Sequence, residues 1–130
     1  MKTTLNNLIT VRNILANFKD TMIHPRLAYQ IAKFLRLTQE DEEFYNTRLR
    51  ALFDTCAQKN EDGSLRLTEN QQGIMLEPSQ IENFNKSIFE LENLEIEAPD
   101  IKFALSDIAN ELKVSTNDMM ILMDFIEEDK

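Results

Sequence analysis

The stretch from Arg26 to Lys59 constrains the fold more than any other part of this sequence. Leu27, Ile31, Phe34, Leu35, Tyr45, Leu49, Leu52 and Cys56 recur at three- and four-residue steps. On an α-helix that spacing stacks side chains on one face. Arg26, Lys33, Arg36, Glu40, Glu43, Arg50 and Asp54 fall on the opposite face. The apolar stripe thins at Thr38, Asp41 and Glu42, and Thr38 followed by Asp41 or Glu42 is an N-cap signal. The stretch is therefore either one long helix with a wet middle turn or two helices meeting near Leu37. Unbroken, at ~1.5 Å per residue, it would run about 50 Å. A small globule cannot cover that length alone, so a second helix or another protein must cover part of it. Pro25 suits the first helical turn, and Lys59, Asn60 and Gly63 suit the end.

The flanking segments supply that second helix. Thr4 to Lys19 carries Leu5, Leu8, Val11, Leu15 and Phe18 at helical spacing, with Arg12, Asn13, Asn17 and Lys19 on the wet side. The connector Asp20–His24 is short, and short connectors join antiparallel neighbours. A helical hairpin is expected, and Leu49→Asp is expected to unfold it by burying an unpaired charge. Beyond it, Asn60-Glu61-Asp62-Gly63 is a turn, and Ser64–Thr68 and Ile74–Glu77 read as a β-hairpin. A two-stranded hairpin is marginal alone, and Asn93–Glu97 is the expected third strand. Pro78 opens a helix to about Glu92, with Ile81, Phe84, Ile88 and Leu91 on its apolar face. Ile101–Leu105 reads equally as strand or turn. Ser106 is expected to cap a short helix through Leu112, and Ser115 a last helix to about Glu127. The sequence reads as free of internal repeats.

The expected class is α+β: an N-terminal long helical hairpin, a small antiparallel β-sheet and two or three short C-terminal helices. Residues 1–130 form a single domain, with 1–59 the hairpin and 60–130 the β-hairpin plus short helices. A chain of 130 residues, 42% hydrophobic, can bury one modest core. The net charge of −9 disfavours direct nucleic-acid binding, because phosphate contacts need clustered cations. It permits binding to a basic protein surface, or mimicry of the charge of DNA. Cys56 is the only cysteine, so no internal disulfide forms; on the apolar stripe it reads as a small core residue. No apolar run approaches a membrane span.

The residues exclude most chemistries. The segment Gln58–Glu69 places Asn60, Asp62, Gly63 and Glu69 where a calcium loop has ligands and its glycine. Gln58 and Arg66 are wrong for that loop, and no helix follows it. His24 is the only histidine, which excludes any two-histidine site. No nucleophile pairing and no glycine-rich phosphate loop is present, so neither an enzyme nor a cofactor is expected. Met119, Met120, Met123 and Phe125 form a soft apolar cluster. Core is the default for such a cluster, but methionine is also over-used at adaptable interfaces, which makes these four the sequence-level partner surface.

The order of several stretches resembles a family of small phage and prophage proteins of unknown function. These are Leu27-Ala28-Tyr29-Gln30-Ile31-Ala32-Lys33, then Glu42-Glu43-Phe44-Tyr45, then Arg48 and Leu49 ahead of Lys59-Asn60-Glu61-Asp62-Gly63. Phe84-Asn85-Lys86, Glu90-Leu91 and Leu94-Glu95-Ile96-Glu97 follow. Together they run from about Leu5 to Phe125. Where that family favours Tyr-Gly at the end of the long helix, this chain has Cys56-Ala57. The resemblance implies a phage or prophage origin and transfers no catalytic residue. The expected function is that of a non-enzymatic accessory protein that binds another protein, in the virion or in the cytoplasm of the infected bacterial host. It would be a minor virion or assembly component, or an inhibitor of a host protein. Self-association through the long helix suits either. The rival readings are an acidic DNA mimic that blocks a nucleic-acid enzyme and a small metal-binding or enzymatic domain.

Overall fold

A computed structural model describes residues 1–128. The chain mixes helices with short strands, consistent with an α+β class. Strand β1 (Lys2–Thr4) leads into α1 (Leu5–Ala16), α2 (Pro25–Leu37) and α3 (Gln39–Cys56). An irregular β arm then runs to a 3-10 turn (Pro78–Gln80). After it come α4 (Ile81–Glu92), β2 (Glu95–Glu97), β3 (Phe103–Ala104), α5 (Leu105–Glu111) and α6 (Thr116–Leu122). A second 3-10 turn (Met123–Phe125) and β4 (Ile126–Glu127) end it.

Local chemistry sets the helix starts. Thr4 Oγ1 accepts the Asn7 backbone N–H at 3.1 Å and caps α1. His24 Nδ1 accepts the Arg26 N–H at 3.1 Å, and Pro25 needs no partner at the first position of α2. Ser115 Oγ accepts the Asp118 N–H at 3.0 Å and caps α6. Ser106, the expected cap of the preceding helix, instead lies one residue inside α5, whose N-cap is Ala104.

The main core joins the two ends of the chain. Leu8, Val11 and Leu15 of α1 and Leu27, Ile31 and Phe34 of α2 pack with Phe103, Ile108, Leu122 and Phe125. The Phe34 ring meets Phe125 edge-on at 5.3 Å and Phe103 at 6.1 Å. Burying each such ring contributes roughly 1.5–3 kcal/mol. A smaller cluster of Leu5, Ile9 and Leu91, flanked by Tyr45 and Ile96, ties α1 to α4. Arg26 adds a bidentate bond from α2 to Asp107 of α5, at 3.1 and 2.7 Å.

The long stretch breaks at Thr38, where φ −105° and ψ 5° leave the helical region. The Thr38 hydroxyl caps nothing in α3. It donates back to the Phe34 carbonyl at 2.7 Å. Arg12, placed by the sequence on the wet side, instead reaches from α1 into this elbow. Its guanidinium donates to Thr38 Oγ1 at 2.8 Å, to Glu42 Oε2 at 2.8 Å and to the Leu35 carbonyl. An unbroken helix would give that carbonyl to residue 39.

The strands do not form the single antiparallel sheet expected. β1 pairs β2 antiparallel, with Thr3 opposite Ile96, and β3 pairs β4 in parallel, with Phe103 opposite Ile126. The segment 93–97 therefore serves the N-terminus rather than the hairpin. The reason lies in α4, which packs on α1 and so delivers β2 to the unpaired backbone of residues 2–4.

The hairpin finds its third segment upstream, at Ala57–Lys59. Ala57 bridges Leu76, Lys59 bridges Leu65, and Leu67 bridges Ile74. Three backbone bonds close a ring. The Gln58 N–H donates to the Met75 carbonyl, Met75 N–H to Arg66, and Arg66 N–H to Gln58, each at 2.8 Å. The ring exposes a repeat that the sequence reading missed. Glu61-Asp62-Gly63 precedes Leu65-Arg66-Leu67, and Glu69-Asn70-Gln71 precedes Ile74-Met75-Leu76. Both turns are built alike. Asp62 Oδ1 accepts the Ser64 N–H, and Asn70 Oδ1 accepts the Gln72 N–H. The next residue, Gly63 or Gln71, takes positive φ, 87° and 57° respectively.

Candidate docking surfaces

The residues singled out for chemistry are occupied structurally. His24 caps α2 and Cys56 is fully buried, its sulfur near the Gln80 and Asn83 side-chain amides. The calcium-like segment is the first turn of the β arm. There the Asp62 carboxylate accepts from both the backbone and hydroxyl of Ser64, which holds its pKa below the usual value. Among the described residues no group of three or more His, Cys, Asp or Glu is placed to hold a metal ion. Among them, too, no helix is long and apolar enough to cross a membrane.

The four residues of the expected partner surface separate. Phe125 is fully buried against Phe34, and Met119 is half-buried on the same core. Met120 and Met123 face outward, 66% and 62% exposed. A helix of seven residues followed by a 3-10 turn cannot keep all four on one face.

Two other surfaces set exposed apolar residues beside charged ones. The first is a groove between α3 and α4. These helices run antiparallel, with Phe53 against Phe84 at 5.2 Å and Tyr45 near Leu91. Burial and the nearby Glu92 carboxylate push the Tyr45 hydroxyl pKa up. Of the 18 residues of α3, Cys56 alone is fully buried. Phe44 and Leu94 stand at one end of the groove, Ala51, Thr55 and Ser87 at the other, and Arg48 and Glu90 line its walls. Phe44 and Leu94 are 47% and 43% exposed.

The second surface is the outer side of α2. This helix has three cations, Arg26, Lys33 and Arg36, and no carboxylate. Arg26 is committed to Asp107, and the Arg26 hydrogen bonds hold the Asp107 carboxyl below its usual pKa against the opposing effect of burial. Lys33 and Arg36 have no ion-pair partner among the described residues. They flank Tyr29, Ala32 and Leu37 around a shallow depression. Tyr29 and Leu37 are 69% and 54% exposed.

No family model, curated protein or solved structure matches the chain. The surfaces therefore carry the functional argument. Sequence periodicity placed Tyr29 outside the stripe of α2 and put the cations on its wet face. The missed signal was the absence of any acid from Pro25 to Leu37 in a chain with 23 acidic residues.

Proposed function

We propose that this protein is a non-enzymatic phage or prophage accessory protein that works by binding another protein, and that the outer face of α2 receives that partner. The observation that carries this is the pair of cations, Lys33 and Arg36, with no ion-pair partner among the described residues, beside exposed Tyr29 and Leu37. In a chain of net charge −9, surface cations have many carboxylates to pair with. The face carries mostly cations, with Asp100 lining an adjoining depression beside Tyr29 and Lys33, and laid on its own copy about a two-fold axis it would set like charges against each other. It calls for a foreign partner with an acidic, partly apolar surface. In this reading α1 and the α2–α3 elbow act as a helical hairpin that presents the face rigidly. The resemblance to small phage proteins supplies the setting, either the virion or the cytoplasm of an infected bacterium. The partner is then a phage structural protein or a host protein.

The test is affinity capture from infected host lysate, paired with mass spectrometry of purified particles. Wild-type protein is compared with Lys33→Glu/Arg36→Glu. A stoichiometric partner is expected with the wild type, weakened by added salt and lost with the variant. Undiminished recovery with the folded variant would overturn the assignment of the face. Presence in particles marks a virion role, and a host complex without it marks inhibition.

A further inference from the structure

Two depressions along the outer side of α2 share a construction. The α2 lining of one includes Arg26, Tyr29, Gln30 and Lys33, and that of the other includes Tyr29, Ala32, Lys33 and Arg36. Each set has the spacing i, i+3, i+4, i+7, the four neighbours that surround one point on a helix surface. In coiled coils such a four-residue hole takes one side chain, a knob, from a facing helix. The two sets start three residues apart, at Arg26 and Tyr29. Successive knobs on one helix are three or four residues apart, so a single helix can fill both holes. Leu27, Ile31 and Phe34 bury the opposite side of α2, which leaves the holes facing out. Ala32 is exposed and small, so a facing backbone can come close. The first hole also has a preformed wall. Ile101 beside it is buried in the main core, and Gln30 Nε2 donates to the Lys102 carbonyl at 3.5 Å.

We propose, building on the assignment of this face above, that the partner enters it as an acidic amphipathic α-helix. Two apolar knobs, three or four residues apart, fill the two holes. The aliphatic stems of Lys33 and Arg36 pack along the knobs, and their charged heads reach outward. Carboxylates flanking the second knob receive them. Both cations then gain the ion pair that they lack among the described residues. The first knob has no carboxylates beside it, because Asp100 lines that hole. A helix suits this face because it satisfies its own backbone groups, whereas an extended segment gains no backbone partner from a helical surface.

NMR titration of the isotope-labelled full chain tests this with a defined probe. The probe is an alanine-based peptide of about 18 residues, long enough to be helical in water. It carries two leucines four residues apart, with glutamates flanking one of them. The control is an isomer of the same composition whose leucines lie on opposite faces. Up to about 2 mM, a range that reaches millimolar affinity, the probe should shift the amides of Pro25–Leu37 that carry a proton, and added salt should weaken it. The isomer should bind about tenfold more weakly, because it buries one leucine instead of two. Ala32 is exposed, so Ala32→Gln should fold, and by filling the second hole it should weaken the probe about fivefold or more. No binding, equal binding of the isomer, or indifference to Ala32→Gln would each overturn the helix and leave the cationic face standing as a partner site. Undiminished binding to folded Lys33→Glu/Arg36→Glu would overturn the face itself. Self-assembly of the chain without probe, lost in that variant, would make the occupant a second copy and overturn the foreign helix.

Discussion

Arg12 of α1 donates to Thr38 Oγ1 at 2.8 Å and so pins the elbow between α2 and α3. The Arg12 side chain is only 12% exposed, and Glu42 at 2.8 Å balances its charge. Thr38 is fully buried. Removing the guanidinium leaves a carboxylate, a hydroxyl and a carbonyl short of a donor in a poorly hydrated place. Arg12→Leu should therefore cost about 2–4 kcal/mol. Thr38→Val keeps the shape and should cost about 1 kcal/mol. Urea denaturation of both single variants and the double should show coupling, because the two share one network.

The Arg26–Asp107 pair predicts how stability responds to acid. Hydrogen bonds from Arg26 depress the Asp107 pKa below its ordinary 3.8. The unfolded chain therefore takes up a proton before the folded one does. Stability from this pair is fully present above the unfolded pKa and is lost as pH falls through the lower folded value. Asp107→Asn should flatten the acid dependence of the thermal midpoint below about pH 4. At neutral pH it should cost about 1–2 kcal/mol, because Arg26 is 63% exposed and partly screened. Asp41 works the other way. Burial and Glu40 raise its pKa, so protonation there relieves the fold as pH falls.

Phe34 and Leu49 share the stripe that the sequence draws, yet their substitutions should differ sharply. Phe34 is fully buried between Phe103 and Phe125, so Phe34→Ala should cost about 3–5 kcal/mol. Leu49 is half-buried and outside both core clusters. Leu49→Asp should then cost about 1–2 kcal/mol and leave the protein folded, against the sequence expectation. Circular dichroism with chemical denaturation separates these outcomes.

The two turns of the β arm should respond with opposite signs. Gly63 has φ +87° and open space around a Cβ, so Gly63→Ala meets backbone strain alone, about 1 kcal/mol. Gln71 already bears that strain at φ 57°, and Gln71→Gly should gain about 0.5 kcal/mol. Hydrogen exchange at the Arg66 and Met75 amides, both in the backbone ring, reads the change locally.

The sequence by itself determined where α1, α2 and α6 begin and the apolar stripe of α2. Thr4, Pro25 and Ser115 act on neighbours within a few residues, and the Leu27–Ile31–Phe34 stripe follows from a fixed periodicity. What covers each face was decided by tertiary structure. The break at Thr38 depends on Arg12, 26 residues away. β2 pairs with β1 because α4 packs on α1. The repeat in the arm becomes visible through a ring that joins residues 58, 66 and 75. The candidate surfaces follow the same division. Lys33 and Arg36 stand in the sequence, but their lack of an ion-pair partner among the described residues does not. The groove takes its lining from α3 and α4, helices well separated in the chain, and the methionine cluster splits because Phe125 finds Phe34. Periodicity reports how apolar a face is; only packing reports whether another part of the chain has already buried it.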